Sequence, residues 1–122
     1  YLSATPDGVI YNGFNVEELA EVKCLQIAAH SLFLHKIQNQ EDLLNHKPEY
    51  YWQCMAQIAT TGASMVHFQT FCPYFNDEYN LVYIPVYPAH IDILEKRAKR
   101  TLELAPAIRE DILSNPARLP VE

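Results

Sequence analysis

Residues 3–23 read SATPDGVIYNGFNVEELAEVK and carry the most informative pattern of the chain. Its apolar residues alternate on both sides of Asn12-Gly13, a dipeptide typical of a tight hairpin turn. The pattern predicts one strand over residues 8–11 and a second over residues 14–24. We therefore expect this stretch to form an antiparallel hairpin.

The hairpin brings two acids and one amine toward one end. Asp7 stands at the start of the first strand, and Glu21 and Lys23 lie two residues apart on the second. Residues i and i+2 of a strand face the same way, so Glu21 and Lys23 should project together, with Val22 buried on the other side. Carboxylates that hold a divalent cation, beside an amine that orients water or offsets negative charge, suit a metal-dependent phosphodiesterase.

Three motifs in order resemble a known nuclease superfamily. The PDG of residues 6–8 and the EVK of residues 21–23 resemble the PD-(D/E)XK signature. Downstream, YYWQCMAQIATTG at residues 50–62 is similar to a helix in the branch that contains the YqaJ-like viral recombinases and phage lambda exonuclease. The resemblance implies an α/β fold with a PD-(D/E)XK, restriction-endonuclease-like core, in which helices flank a mixed β-sheet.

The same resemblance implies roles for individual residues. Asp7 and Glu21 would bind Mg²⁺, for which Mn²⁺ would substitute, and the backbone carbonyl of Val22 would add another oxygen ligand. Lys23 would position the attacking water. Gln53 and Gln57 share one helix face, and Gln53, not Gln57, aligns with the family's active-site glutamine and would hold that water or the phosphate. The implied catalytic residues are thus Asp7, Glu21, Lys23 and Gln53.

Two further residues are candidates for contact with DNA. Tyr51 could stack on a base, although aromatic residues at helical spacing more often belong to a core. Lys47 could contact a phosphate, although a solvated lysine is the more common finding.

At the level of the whole protein, the resemblance implies 5′-to-3′ exonuclease action on the ends of linear double-stranded DNA in phage-type homologous recombination. It also implies a homo-oligomer, a trimer in lambda exonuclease, and a single-strand annealing protein as partner. The expected location is the bacterial cytoplasm, with a phage or prophage gene.

Length and composition indicate a globular protein. The 122 residues are 49% hydrophobic and 20% charged, which fits one domain, with a tail over residues 115–122. No apolar run is long enough to span a bilayer. The chain begins at Tyr1 rather than at a methionine, so we expect the C-terminal part of a longer polypeptide without the family's N-terminal helices.

The net charge of −6 is unusual for a nucleic-acid-binding protein. The densest basic cluster is Lys96, Arg97, Lys99 and Arg100, which could contact a DNA backbone or simply be solvated helix charge. The charge keeps open a non-catalytic binding or assembly domain with a vestigial site. An endonuclease of the same superfamily is a third hypothesis, whereas a cysteine hydrolase built on Cys54 and His67 has no supporting local motif.

Periodicity and turn residues predict the remaining elements. They are a helix over 27–38, a surface loop over 39–48, a helix over 49–61 that starts at Pro48, strands over 64–72 and 79–87, and a helix over 89–105 that Pro106 kinks or breaks before a second piece over 107–113.

Smaller expectations concern histidines and cysteines. His30 and His35 lie five residues apart and do not share a helical face, so we expect two partly exposed side chains rather than a metal pair. The three cysteines have no CxxC spacing, which favours buried, reduced thiols over a zinc site. Pro85 cannot donate to a β-ladder and therefore places the last strand at a sheet edge or a bulge.

Overall fold

The computed structural model describes the backbone of residues 6–114 and the side chains of residues 6–107. The described residues form two compact units, which divide at Ile91. The first unit holds four strands and three helices, and the second is one helix. In chain order the elements are β1 (Gly8–Asn12), β2 (Asn15–Cys24), α1 (Ile27–Lys36), α2 (Gln40–His46), α3 (Pro48–Thr61), β3 (Met65–Phe71), β4 (Leu81–Val86) and α4 (Ile91–Ser114).

The four strands form one mixed sheet in the order β1-β2-β3-β4. β1 and β2 are antiparallel, as are β3 and β4, whereas β2 and β3 are parallel. A parallel pair needs a long crossover, which α1, α2 and α3 supply. The predicted α/β architecture with a mixed sheet is therefore confirmed.

The predicted hairpin is confirmed, with its turn one residue later than expected. Asn12 pairs with Asn15, so the turn residues are Gly13 and Phe14 rather than Asn12 and Gly13. Gly13 has φ 64°, a left-handed conformation that glycine adopts without steric cost at the first position of a two-residue turn. The hairpin places Phe14, fully exposed, at its tip.

The helices of the first unit pack on one face of the sheet. The Phe33 ring of α1 stacks on the Phe68 ring of β3, with centroids 5.9 Å apart. Phe68 pairs with Glu21, so the helix-covered face is the one that carries Glu21. Val22 points to the opposite face and is 42% exposed, so its predicted burial is wrong. Alternation along β2 was predicted, but the side on which helices pack depends on distant parts of the chain.

The predicted loop over residues 39–48 is also wrong, because most of it is helix α2. Asn39 caps this helix, and its side-chain oxygen accepts a hydrogen bond from the Asp42 amide at 2.8 Å. Asparagine is favoured both in turns and at helix N-caps. The polar segment was interpreted as a turn where it contains a cap.

Signals at the ends of α3 were interpreted correctly. Pro48 occupies the first turn, and the helix ends at Gly62, which has φ 75°. The two strands after it are confirmed over slightly shorter ranges. Pro85 lies in β4, which is an edge strand, as expected.

His30 is fully buried, contrary to the prediction of partial exposure, whereas His35 is exposed. The carbonyl of Tyr79 lies 2.8 Å from His30 Nε2 and can only accept, so Nε2 carries the proton. The Thr70 hydroxyl then donates to Nδ1 at 3.1 Å. Both ring nitrogens have hydrogen-bond partners, which compensates for the loss of water on burial of His30. The same two bonds connect α1 to β3 and to the segment before β4.

The thiols differ in exposure. Cys54 and Cys72 are buried, as predicted, but Cys24, at the end of β2, is exposed. Cys24 and Val22 share the sheet face opposite to the helices of the first unit, so the two predictions fail for the same reason.

The second unit is helix α4. Pro106 lies inside it, so the helix continues through the proline instead of ending there. The predicted tail over 115–122 lies outside the described residues. Among the helices described, none combines the length and apolarity needed to cross a membrane.

Candidate active site

Two hydrogen bonds hold Asp7 to β2, one to the residue before Glu21 and one to the residue after it. Its backbone amide donates to the carbonyl of Ala20 at 3.1 Å, and its Oδ2 accepts from the amide of Val22 at 2.8 Å. Gly8, which pairs with Ala20, permits this approach, because an added Cβ would lie only 3.3 Å from the Ala20 Cβ. The Asp7 carboxylate therefore lies beside the peptide group that joins Glu21 to Val22.

The backbone of Val22 faces the edge where Asp7 lies. The Leu25 amide bonds to the Phe71 carbonyl of β3, whereas the Ala20 carbonyl accepts from Asp7. Backbone groups alternate in direction along a strand, so the even-numbered residues of this part of β2 face β1. The Val22 carbonyl oxygen consequently lies on the side of the Asp7 carboxylate.

Glu21 is 4% exposed, and three side chains from two elements donate to its carboxylate. The Lys23 Nζ is 3.0 Å from Oε1, the Gln53 Nε2 donates to Oε1 at 3.3 Å, and the Gln57 Nε2 donates to Oε2 at 2.9 Å. Burial of a carboxylate costs free energy unless hydrogen-bond donors and an opposite charge compensate for the lost water, and these three side chains supply both. Each donor also restricts the orientation of the carboxylate plane.

The ammonium group of Lys23 contacts both the Glu21 carboxylate and the aromatic ring of Tyr50. Besides its ion pair with Glu21, its Nζ lies 5.3 Å from the centroid of the Tyr50 ring, a cation–π distance. The lysine side chain keeps 24% of its surface exposed. It can therefore reach a solvent-borne substrate while it is oriented by the protein.

Helix α3 supplies both glutamines. Gln53 and Gln57 lie four residues apart and so project from one helix face toward Glu21. The spacing predicts both amides on one helix face, and the family resemblance selects Gln53 alone for the active site. The structure brings both amides to Glu21.

Cys54, between these glutamines in sequence, is not a nucleophile. Burial, and then the nearby charge of Glu21, raise the pKa of its thiol to about 12. His67 pairs in register with Ala20, so it belongs to the opposite face of the sheet from Glu21. Cys54 and His67 thus do not form a catalytic pair.

The two candidates for DNA contact have other surroundings. Tyr51 is 1% exposed, and its hydroxyl lies 2.7 Å from Nδ1 of His90, so its ring is not available to stack on a base as predicted. Lys47 joins α2 to α3, and its Nζ lies 4.0 Å from Glu49. It keeps an accessible amine, so its predicted role is a matter for experiment.

The oxygen atoms at this site fit a small hard cation. Asp7 and Glu21 offer carboxylates and Val22 a carbonyl, and Mg²⁺ binds through such oxygens while it keeps several waters. Within the part of the chain that the structure describes, no three His, Cys, Asp or Glu side chains cluster as metal ligands do. A cation here would rely on two carboxylates from the described residues.

Comparison with known proteins identifies the family of the chain and a similar fold. The YqaJ-like viral recombinase domain family matches residues 1–64. The fold is similar to that in the crystal structure of an alkaline exonuclease (LHK-Exo) from Laribacter hongkongensis, with a TM-score of 0.67 and 23% sequence identity. The match covers 93% of this chain and 54% of that one, so the chain spans about half the length of the exonuclease. Among curated proteins, none matches the sequence.

Proposed function

Because the chain belongs to the YqaJ-like viral recombinase domain family, we propose that it is the catalytic part of a Mg²⁺-dependent DNA exonuclease. The substrate would be the end of linear double-stranded DNA, degraded in the 5′-to-3′ direction. The observation that carries the proposal is the attachment of Asp7 to β2 on both sides of the buried Glu21.

The residues divide the work of phosphodiester hydrolysis among them. Asp7, Glu21 and the Val22 carbonyl would hold Mg²⁺ or Mn²⁺. A divalent cation held there supplies Lewis-acid help to the phosphodiester and makes water a better nucleophile at neutral pH. Lys23 brings a positive charge that offsets the negative charge developing on the phosphate.

Gln53 has a second task open to it. It is half-buried, and its hydrogen bond to Glu21 is long at 3.3 Å. Its amide can therefore exchange this contact for one to water or to a phosphate oxygen. Lys23 and Gln53 together would orient the attacking water relative to the scissile bond.

A digestion assay tests the proposal. With Mg²⁺ and linear double-stranded DNA, the chain should release nucleotides, and Asp7→Asn should lower turnover by at least about 100-fold, since a lost metal interaction is worth several kcal/mol. Asp77→Asn, an equal charge change at an exposed loop position, is the control. Turnover of Asp7→Asn equal to that of the control would reject the assignment.

Substrate form separates the nuclease classes. An exonuclease leaves covalently closed circular DNA intact, whereas an endonuclease of the same superfamily cuts it. Labels placed at the 5′ or the 3′ end report the direction of digestion. The first label released should be the 5′ one.

A non-catalytic binding or assembly domain with a vestigial site is the second candidate. The scarcity of basic residues favours this second candidate, because the lysines and arginines of the first unit are only three, Lys23, Lys36 and Lys47. Such a domain would bind DNA or a partner without any Asp7-dependent response to Mg²⁺.

Assembly is part of the same proposal. By family resemblance we expect a homo-oligomer, a trimer as in lambda exonuclease, and a single-strand annealing protein that receives the product strand. Light scattering of the purified chain, alone and with linear DNA, measures the first of these. A monomer under both conditions would contradict it.

A further inference from the structure

Gln57 is buried deeper than any of its functional neighbours on α3. Its side chain has no solvent exposure, whereas Gln53 is half-buried. Its Nε2 donates to Oε2 of Glu21 at 2.9 Å, the shorter of the two amide contacts to that carboxylate. A side chain so placed cannot touch DNA, so any effect on the reaction passes through Glu21.

The other half of the Gln57 amide is unpaired. Among the described side chains, its Oε1 is the buried polar atom without a hydrogen-bond partner. Exchanging the positions of the amide nitrogen and oxygen does not give Oε1 a donor. Oε1 would then face the Glu21 carboxylate, and two acceptors would oppose each other. Buried polar groups are normally paired, so an exception needs an explanation.

Packing alone does not explain a glutamine at this position. Methionine has nearly the same shape and would fill the space without leaving an unpaired acceptor. What methionine lacks is the N–H donor that Gln57 gives to Glu21. The donor, rather than the bulk of the side chain, is what the position supplies.

We propose that Gln57 is a positioning residue that holds Oε2 of Glu21 and thereby sets the orientation of the carboxylate for cation binding. Partners of metal-binding carboxylates act in this way in other metal sites. Among the side chains that the structure describes, Lys23 and Gln53 contact Oε1 and Gln57 contacts Oε2, so Gln57 is the contact that fixes the second oxygen. This inference rests on the proposed function, since it presumes that Glu21 binds the cation.

Mn²⁺ titration by calorimetry tests the inference. Gln57→Met should raise the Kd for Mn²⁺ by about 10- to 100-fold, the usual effect of removing such a partner. The melting temperature of the metal-free protein should fall, because a buried carboxylate loses a donor, so the titration is made well below it. The KM for DNA should change little. Ile58→Met is the control, because it alters the next buried position of α3 without a contact to Glu21, and it should leave the Kd unchanged.

The outcomes are distinguishable. If the parent binds Mn²⁺, Asp7→Asn does not, and Gln57→Met binds as the parent does, this inference is overturned while the proposed function stands. An equal loss in Ile58→Met would also overturn it, since the effect would then be one of packing. A parent that fails to bind Mn²⁺ would overturn both.

A second variant tests the same inference if Gln57→Met folds poorly. Gln57→Asn keeps the amide but is one methylene shorter, so it cannot keep a 2.9 Å contact to Oε2 without movement of the helix. It should show the same rise in Kd. A folded Gln57→Asn with the parent's Kd would refute the role of Gln57.

Discussion

Two thiols with the same chemistry occupy opposite environments at the residue scale. Cys54 lies in the helix-covered core near Glu21, and its thiol is held neutral by burial and by that carboxylate. Cys24 is exposed at the end of β2, on the sheet face opposite to the helices of the first unit. The difference between their reactivities therefore reports which sheet face the helices of the first unit cover.

We predict that a disulfide reagent at pH 8 modifies Cys24 quickly and leaves Cys54 and Cys72 slow, because the thiolate reacts and the pKa of Cys54 is about 12. Counting of modified thiols against time, with urea-unfolded protein as the control, is the measurement. Two fast thiols in the folded protein would contradict the burial of the pair.

The same thiol makes stability depend on pH. The pKa of Cys54 is raised from 9.0 to about 12, so its contribution is complete below pH 9 and is lost as the pH rises toward 12. In that interval the unfolded chain releases a proton that the folded chain keeps.

Spacing in the sequence correctly grouped Glu21 with Lys23, because alternation along a strand is a local property. It could not show that Val22 is exposed or that His30 is buried. Both depend on which surfaces meet after the chain has crossed from β2 to β3. Helical spacing put Gln53 and Gln57 on one face for the same local reason, but only the approach of α3 to β2 reveals that Glu21 is the partner of both.

At the scale of elements, α2 shows how little sequence can specify a short helix. Its seven residues hold few apolar positions, and two side-chain hydrogen bonds define its start. Asn39 accepts from the Asp42 amide, and the Asp42 carboxylate accepts from the Gln38 amide at 3.2 Å. The arrangement differs from a capping box, because the second amide belongs to the residue before the N-cap.

We predict that Asn39→Ala lowers the free energy of unfolding by about 1 kcal/mol, the usual value for loss of an N-cap. Urea denaturation followed by circular dichroism measures it. Asn45→Ala, the same change at an exposed position inside α2, is the control and should cost less. Equal losses in the two variants would show that the cap does not stabilise the helix.

Other elements were predictable because their ends carry residues with strong backbone preferences. Gly13 at the hairpin turn, and Pro48 and Gly62 at the ends of α3, fix boundaries through their own φ angles or through a missing amide. Pro106 is the counter-example. Its preference is just as strong, yet α4 continues through it.

At the scale of the whole molecule, charge is unevenly distributed along the chain. The net charge is −6, yet four of the nine basic residues lie within residues 96–100 of α4, all four exposed. A nuclease must hold a polyanion close to its acidic centre. The cation can neutralise the centre itself, but backbone phosphates further along the DNA need basic side chains.

We predict that Lys99→Ala weakens DNA binding and reduces the slope of log Kd against log salt concentration by about 1, the value for one lost phosphate contact. Fluorescence anisotropy with labelled linear DNA over a range of salt concentrations is the measurement. Lys36→Ala, an exposed lysine at the end of α1, serves as the control. An unchanged slope in Lys99→Ala would mean that the α4 cluster does not contact DNA.

The proposed function requires that Asp7 and Glu21 bind one divalent cation together. Calorimetric titration with Mn²⁺ of the parent, Asp7→Asn, Glu21→Gln and the double variant measures this. One cation per chain should bind to the parent, each single substitution should remove most of the affinity, and the double variant should be little worse than either, because groups that act as a unit are not additive. Retention of the parent's affinity and stoichiometry by Asp7→Asn would contradict the claim.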